Sequence, residues 1–175
     1  GDLAVCTWLG DIYIVEKAQG PLALAKYRRF ARGLCEPGGL KMIGGRMYVV
    51  QKQELTRVTD TDGNGEADLF ECVTQDWGFT GNYHDFSFGP ALDRAGNFYV
   101  MRNGNRGLYD VPYMGWCLKI SPDGRQVEPF CSGLRSPNGF GSYGPDGDIF
   151  MCDNQGNWIP ACTLTHMQGV RFYGF

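Results

Sequence analysis

The sequence repeats itself at a spacing that few folds produce. Segments 1–6, 45–50, 96–101 and 147–152 each begin with glycine and a polar or charged residue and continue as a short apolar run. They start 44, 51 and 51 residues apart. The glycine is typical of a tight turn, and the apolar run has the length of a buried strand. We therefore predict that the same strand recurs in four successive repeats.

A second similarity defines the rest of the repeat. Segment 30–40 resembles segment 130–140 over a strand, a turn and the next strand. One unit then contains four strands, a to d, which we place at 138–143 for a, 148–152 for b, 116–121 for c and 126–131 for d. Four strands in about fifty residues are typical of a β-propeller blade.

These repeats predict an all-β chain that forms part of a β-propeller with four-stranded blades. A β-sandwich also has short strands joined by glycine and proline turns, but nothing in that fold favours a fixed period. The chain has room for about three and a half blades, which we place at 1–34, 35–80, 81–133 and 134–175. It begins inside a strand b and ends without a closing strand, so we expect the remainder of the propeller, or another chain, to complete the ring.

Composition limits the classes of partner. A net charge of −3 without a basic stripe argues against a nucleic-acid partner. No apolar stretch approaches the roughly twenty residues of a membrane span. With 43% hydrophobic and 14% aromatic residues, the chain has enough apolar side chains for a core.

The seven cysteines contain no Cys-x-x-Cys pair, which excludes the usual zinc and attached-haem motifs. A hairpin turn at 122–124 would bring Cys117 next to Cys131, and Cys152 and Cys162 lie on adjacent predicted strands. We predict disulfides at these pairs, with small buried thiols as the alternative. Disulfides would place the protein in an oxidising compartment, so we expect a secreted protein, periplasmic or extracellular.

Residues 60–71 match the twelve-residue pattern of a calcium-binding loop. Oxygen-bearing residues occupy the ligand positions, and a glycine at the sixth position makes the sharp turn. The predicted calcium ligands are Asp60, Asp62, Asn64, the carbonyl of Glu66, Asp68 and Glu71. The flanking segments resemble strands, so we expect a connection between strands c and d and not an EF-hand. An acidic hairpin that binds nothing is the alternative.

Blade geometry sorts the loops onto two faces. Because successive strands alternate in direction, the d-to-a and b-to-c loops share one face, and the c-to-d loops lie on the other. Calcium at 60–71 would therefore stabilise a hairpin away from any substrate. The d-to-a and b-to-c loops carry a concentration of polar residues: Gln51, Gln53, Asn82, Tyr83, His84, Asp85, Arg102, Arg135, Ser136, Asn138, Asp153, Asn154 and Gln155. We expect these residues to converge on a concave site around the central channel.

Two of these residues have side chains that are suited to catalysis or to cofactor binding. His84 is one of only two histidines, and histidine is the side chain best suited to accept a proton near neutral pH. Arg135 could hold a carboxylate or a quinone oxygen through two hydrogen bonds. The alternatives are that His84 is a structural hydrogen-bonding residue and that Arg135 satisfies carbonyls in a turn.

Two motifs resemble a known family. Stretch 133–139 reads Gly-Leu-Arg-Ser-Pro-Asn-Gly and resembles the Gly-x-Arg-Asn-Pro-x-Gly loop of the glucose/sorbosone dehydrogenases, six-bladed propellers that use pyrroloquinoline quinone (PQQ). Stretch 82–90, Asn-Tyr-His-Asp-Phe-Ser-Phe-Gly-Pro, is similar to the histidine segment of that family. The chain resembles still more closely the membrane-bound dehydrogenases of planctomycete-type bacteria. It departs from the motif at Ser136, where the family has asparagine.

The resemblance implies a PQQ-dependent dehydrogenase that oxidises a sugar or related alcohol. His84 would take the proton of the substrate hydroxyl, and Arg135 would bind and polarise the cofactor. The predicted cofactor-binding residues are Arg135, Ser136, Asn138, Asp153, Asn154 and Gln155. The alternative is a non-catalytic, calcium-stabilised propeller that binds a glycan or a protein partner. A metal-dependent hydrolase or lactonase gains little support from two histidines and scattered carboxylates.

Overall fold

The computed structural model describes residues 1–21, 24–104, 111–154 and 161–174. In these residues fourteen strands form four antiparallel sheets. Within each sheet the strands lie side by side in chain order, which is the arrangement of a propeller blade. The predicted all-β, partial β-propeller fold is confirmed.

Each sheet is one blade. Blade 1 contains β1 (Leu3–Cys6), β2 (Ile12–Glu16) and β3 (Lys26–Ala31), and blade 2 contains β4 (Gly39–Ile43), β5 (Arg46–Val50), β6 (Leu55–Thr59) and β7 (Leu69–Thr74). Blade 3 contains β8 (Ser87–Leu92), β9 (Phe98–Arg102), β10 (Trp116–Ile120) and β11 (Val127–Ser132), and blade 4 contains β12 (Pro137–Tyr143), β13 (Asp148–Asp153) and β14 (Thr163–His166). The repeated apolar segments are the b strands β1, β5, β9 and β13.

The b strands build the core because their alternate residues pack on opposite neighbours. In β5, Met47 and Val49 belong to the cluster shared with blade 1, whereas Tyr48 and Val50 pack in the cluster shared with blade 3. The same alternation recurs in β9, which lies between blades 2 and 4. A strand that is covered on both faces needs apolar residues at consecutive positions. This explains why the b strands read as unbroken apolar runs.

The innermost strands of neighbouring blades approach closely. Gly38 precedes β4, and a β-carbon at this position would overlap the carbonyl oxygen of Ser87 at the start of β8. Glycine is therefore required where blades 2 and 3 meet at the channel. This close packing brings the loops that precede β4 and β8 onto the same face.

The described residues include no helix with the length and apolar composition that a membrane span needs.

Candidate functional site

The d-to-a and b-to-c loops border a cleft of ≈ 530 Å³ at the inner strands of blades 3 and 4. Its walls are formed by His84, Phe86, Phe88, Arg135, Ser136, Asn138, Cys152, Asp153, Asn154 and Cys162. The structure thus brings together six of the predicted site residues, from segments far apart in the sequence. Gln155 lies outside the described residues.

A buried ion pair holds the loop that carries His84. Arg102 Nη2 donates to Asp85 Oδ1 over 2.6 Å, and both side chains are fully buried. Arg102 also donates to the carbonyl of Trp77 over 2.9 Å, and Asp85 accepts the N–H of Thr80 over 2.5 Å. Desolvation lowers the pKa of Arg102, and the charge of Asp85 opposes this shift. The pair fixes both ends of the loop beneath His84.

His84 itself lies among aromatic rings. Its ring centroid is 3.8 Å from that of Tyr83 and 6.5 Å from that of Phe86, which in turn contacts Trp8 edge-on at 5.0 Å. Its backbone N–H donates to Asn82 Oδ1 over 2.8 Å. The half-buried imidazole therefore has a fixed backbone and an apolar side next to the cleft.

Trp8 is not among the predicted site residues. It lies in the b-to-c loop of blade 1, between β1 and β2, and 52% of its surface is exposed. The rule that places b-to-c loops on the channel face applies to this loop as well. A search for aromatic as well as polar residues would have found it.

The loop that carries Arg135 is held from two sides. The two carboxylate oxygens of Asp153 accept the backbone N–H groups of Arg135 and Ser136 over 2.8 and 2.7 Å. On the other side, the N–H of Gly104 donates to the carbonyl of Arg135 over 2.8 Å. A β-carbon at Gly104 would overlap the carbonyl oxygen of Leu134, so only glycine permits this approach.

These contacts change what the cleft offers to a ligand. Asp153 lines the cleft as predicted, but both of its oxygens are engaged by the backbone and only 9% of its surface is exposed. The other polar groups that line the cleft include the imidazole of His84, the guanidinium of Arg135, the hydroxyl of Ser136, which accepts a hydrogen bond from Asn103 over 3.4 Å, and the amides of Asn138 and Asn154. This set of donors suits anionic or carbonyl oxygens.

Three other polar residues that we expected near the channel are buried in the fold. Arg102 and Asp85 form the ion pair described above. Gln51 accepts the N–H of Cys35 over 2.5 Å and donates to the hydroxyl of Thr56 over 2.6 Å. Gln51 and Arg102 lie at the end of a b strand, where the d-to-a loop of the same blade covers them. Their polarity satisfies buried backbone groups and does not indicate a ligand.

Five of the predicted calcium ligands lie in the c-to-d loop of blade 2, but Glu71 lies in β7. Arg57 donates to both carboxylate oxygens of Glu71, over 2.7 and 2.6 Å, and these hydrogen bonds lower the pKa of Glu71. Asp60 accepts the N–H groups of Gly63 and Gly65 over 2.7 and 2.8 Å. The N–H of Gly65 is the main cause of a lowered pKa at Asp60.

The remaining loop carboxylates also have protein partners. Asp62 accepts hydrogen bonds from the backbone and the side chain of Asn64, and Asp68 accepts the N–H and the hydroxyl of Thr61. Over the residues that the structure describes, no group of three or more His, Cys, Asp or Glu side chains is arranged to hold a metal. Calcium binding stays a prediction, and Glu71 would have to exchange Arg57 for the ion.

The predicted disulfides are not confirmed, because all seven cysteines are free thiols. Cys117 and Cys131 are cross-strand partners, as expected, but they remain two buried thiols. Burial raises the pKa of Cys117 well above its ordinary value, and the neighbouring Cys131 adds to this shift. Cys152 and Cys162 are exposed and line the cleft, where the Cys162 thiol lies 3.7 Å from Asn154 Oδ1. The periplasmic or extracellular location therefore stays a prediction.

Comparison with known proteins finds no matching family model and no matching curated protein. Solved structures do match. A structure described as "glucose dehydrogenase" has a TM-score of 0.74 at 12% identity over 98% of this chain, and a second glucose dehydrogenase has a TM-score of 0.73 at 14% identity over 98%. The chain has the fold of these propellers.

The chain spans 59% and 58% of the length of those two structures. A structure described as a luciferin-regenerating enzyme also matches, with a TM-score of 0.51 at 14% identity over 99% of this chain and 61% of that one. At such identities the likeness concerns the fold. The closer resemblance to membrane-bound planctomycete dehydrogenases gains no support from these comparisons.

Proposed function

We propose that this propeller is a dehydrogenase domain that oxidises a sugar or a related alcohol with a quinone cofactor, PQQ, at the cleft between blades 3 and 4. One observation carries the proposal. His84 and Arg135, which belong to two different repeats, line the same cleft on the channel face. The fold shared with glucose dehydrogenases supports it.

The residues of the cleft fit a planar, anionic quinone. Arg135 supplies a positive charge, and Ser136, Asn138 and Asn154 supply hydrogen-bond donors for carboxylate and carbonyl oxygens. The rings of Phe86 and Phe88 supply apolar surface against which a flat ring system can pack. Asp153 adds little repulsion because its carboxylate is directed at the backbone. We propose that Arg135 and the three polar residues hold the cofactor.

His84 has the place and the chemistry of a general base. An imidazole that removes the hydroxyl proton of an alcohol makes the loss of hydride from the adjacent carbon easier. The bound quinone would supply the acceptor for that hydride. The neighbouring rings of Tyr83 and Phe86 limit water on one side of the imidazole and restrict its orientation. Arg135 would stabilise negative charge that develops on a quinone oxygen.

A non-catalytic propeller that binds a glycan is the second candidate, and exposed aromatic rings favour it. Tyr83 is 73% exposed beside His84, and Trp8 is 52% exposed near the same ring cluster. Sugar rings pack well on such surfaces. Tyr113, however, packs against the core, and Trp158 lies outside the described residues.

Reconstitution distinguishes the two candidates. Purified protein is titrated with PQQ and calcium, the cofactor absorbance is recorded, and dye reduction is measured with a panel of sugars and alcohols. We expect an absorbance shift and turnover, with turnover about a hundredfold lower in His84→Ala. His166→Ala is the matched control, because the second histidine lies on β14 and stacks on Phe150 outside the cleft.

Full turnover in His84→Ala would remove the general base from the proposal. No absorbance shift and no turnover in the unmodified protein, together with saturable glycan binding that Tyr83→Ala abolishes, would favour the binding module.

A further inference from the structure

Three polar residues stand at intervals of 51 residues, Gln51, Arg102 and Asp153, at the ends of the b strands of blades 2, 3 and 4. All three are buried, with exposed fractions of 5%, 0% and 9%. They differ in charge and in shape. Their shared position in the repeat therefore calls for a shared structural role.

Each of the three binds the backbone of the d-to-a loop that enters its own blade. Gln51 accepts the N–H of Cys35 over 2.5 Å, and Arg102 donates to the carbonyl of Trp77 over 2.9 Å. Asp153 accepts the N–H groups of two successive residues, over 2.8 and 2.7 Å. We call this contact the loop clamp. The side chain at each position matches the backbone groups that its loop presents. Gln51 and Asp153 accept N–H groups, and Arg102 donates to carbonyls.

The loop clamp of blade 4 differs from that of blade 2 in what it holds. The two N–H groups that bind Asp153 belong to Arg135 and Ser136, whose side chains line the cleft. Gln51 instead holds Cys35, which is not among the residues of the cleft. A carboxylate that receives two N–H groups also fixes the direction of the peptide between them, because both donors must point at one group.

We infer that Asp153 is a positioning residue, which directs the side chains of Arg135 and Ser136 into the cleft by holding their backbone. This inference rests on the proposed function, since it concerns the residues that we propose to hold the quinone. It also revises the role of Asp153. A buried carboxylate with both oxygens engaged acts on the cofactor through Arg135 and not by direct contact.

The loop has a second support, which makes the contribution of Asp153 measurable without loss of the fold. Arg135 accepts the N–H of Gly104 over 2.8 Å, and the carbonyl of Ser136 accepts the N–H of Asn154 over 3.3 Å. Neither contact involves the carboxylate of Asp153, so we expect both to remain when that group is replaced. We therefore expect an Asp153 variant to keep the loop in place on average while allowing its peptides to rotate.

The test compares Asp153→Asn with Gln51→Met, which removes the equivalent loop clamp in blade 2. An asparagine replaces one acceptor oxygen with an N–H group that faces another N–H. We expect hydrogen exchange at the amides of Arg135 and Ser136 to become at least about tenfold faster in D153N, and the Kd for PQQ to rise about tenfold. In Q51M, exchange should rise at Cys35 and the Kd should stay at the wild-type value.

Several results would overturn the inference. Unchanged exchange at 135 and 136 in D153N would show that the carboxylate does not hold the loop. Faster exchange with an unchanged Kd, or an equal rise of Kd in Q51M, would show a structural contact without a positioning role. If D153N does not fold, D153E, which displaces the carboxylate by one methylene, receives the same measurements. Exchange at 135 and 136 and the Kd are then expected to rise above the wild-type values, and wild-type values for both would overturn the inference.

Failure of the proposed function is recognised separately. If the wild-type protein binds no PQQ, the exchange rates still decide whether Asp153 holds Arg135 and Ser136. Unchanged rates overturn the inference. Faster rates that are confined to 135 and 136 support its first step, that Asp153 holds the backbone of these two residues, independently of the cofactor.

Discussion

The buried pair of Asp85 and Arg102 is the contact on which the position of His84 most depends. Both side chains are fully buried, and together they bind the carbonyl of Trp77 and the N–H of Thr80. Removing one partner of such a pair leaves an uncompensated charge in the core. The resulting loss of folding free energy is larger than the net stabilisation that the intact pair provides.

We predict that Arg102→Met lowers the free energy of unfolding by about 3–5 kcal/mol, because Asp85 is then left buried without its cation. Urea denaturation measures the loss. Arg57→Met is the control, since Arg57 also pairs with a carboxylate but does so on the surface, where solvent screens the interaction. Equal effects of the two substitutions would show that burial of the pair does not matter.

A second residue-level prediction concerns acid. Partial burial acts to raise the pKa of Asp93, but hydrogen bonds from the side chain and N–H of Asn97 outweigh it, so the net pKa lies below its ordinary value. A carboxyl group with a lowered folded-state pKa contributes stability above its unfolded pKa of about 4, and this contribution is lost as pH falls further.

Asp93→Asn should therefore lower the urea midpoint at neutral pH and have less effect at an acid pH below the unfolded-state pKa of about 4, where the contribution of the ionised carboxyl group is lost. An equal loss at both pH values would attribute the effect to packing and not to ionisation.

At the scale of the structural elements, the c-to-d loop of blade 2 contacts blade 1 as well as its own hairpin. It reaches β3 of blade 1, where the N–H of Ala67 donates to the carbonyl of Phe30 over 2.6 Å. Arg28, also on β3, donates to the carbonyl of Gly65. The loop therefore connects two blades on the face opposite the cleft. Order in the loop is coupled to the contact between blades 1 and 2.

We predict that calcium binds this loop and raises the melting temperature. At a hundredfold excess over Kd, binding to the folded state alone stabilises it by about 2.7 kcal/mol. Calorimetric titration and thermal unfolding with calcium or a chelator measure both effects. Asp60→Ala should abolish them, and Asp123→Ala, in the c-to-d turn of blade 3, should not.

Arg57→Gln should increase the calcium affinity, because it releases Glu71 from its present partner. Identical melting curves with calcium and with chelator would contradict calcium binding by the loop.

The strands and the faces of the blades follow from the sequence because both depend on local signals. The glycine turns and the apolar runs fix the b strands, and observed strands agree with the predicted ones to within one residue at 138–143 and 148–152. Once strand order is known, alternation of direction assigns every loop to a face. This is why His84 and Arg135 could be placed together before their contacts were known.

The hydrogen-bond partners of the polar side chains could not be predicted in the same way. Gln51, Arg102 and Asp153 have the polarity of ligand-binding residues, but they bind backbone groups of loops that are distant in the sequence. Glu71 fits a calcium motif, although its place on β7 sets it opposite Arg57. Such contacts depend on cross-strand register and loop packing, which the repeat pattern does not specify.

At the scale of the whole molecule, the two outermost blades present apolar faces. The repeat makes Phe150 of β13 equivalent to Tyr99 of β9, which is buried between blades 3 and 4. Phe150 instead borders an open surface with Leu164 and Tyr143, which are 74% and 79% exposed. We propose that further blades or another chain cover this face.

The channel face of the propeller is where we propose that chemistry takes place, and Arg135 is a cationic side chain that lines its cleft. The most direct measurement is the affinity for PQQ in the wild-type protein, in Arg135→Gln and in Arg125→Gln. Arg125 is the matched control, since it lies in the c-to-d turn of blade 3 on the opposite face and is 86% exposed. We predict at least about tenfold weaker binding in R135Q, because charge-assisted hydrogen bonds are lost, and wild-type affinity in R125Q. Equal affinity in all three proteins, or no binding by the wild type, would contradict the proposed site.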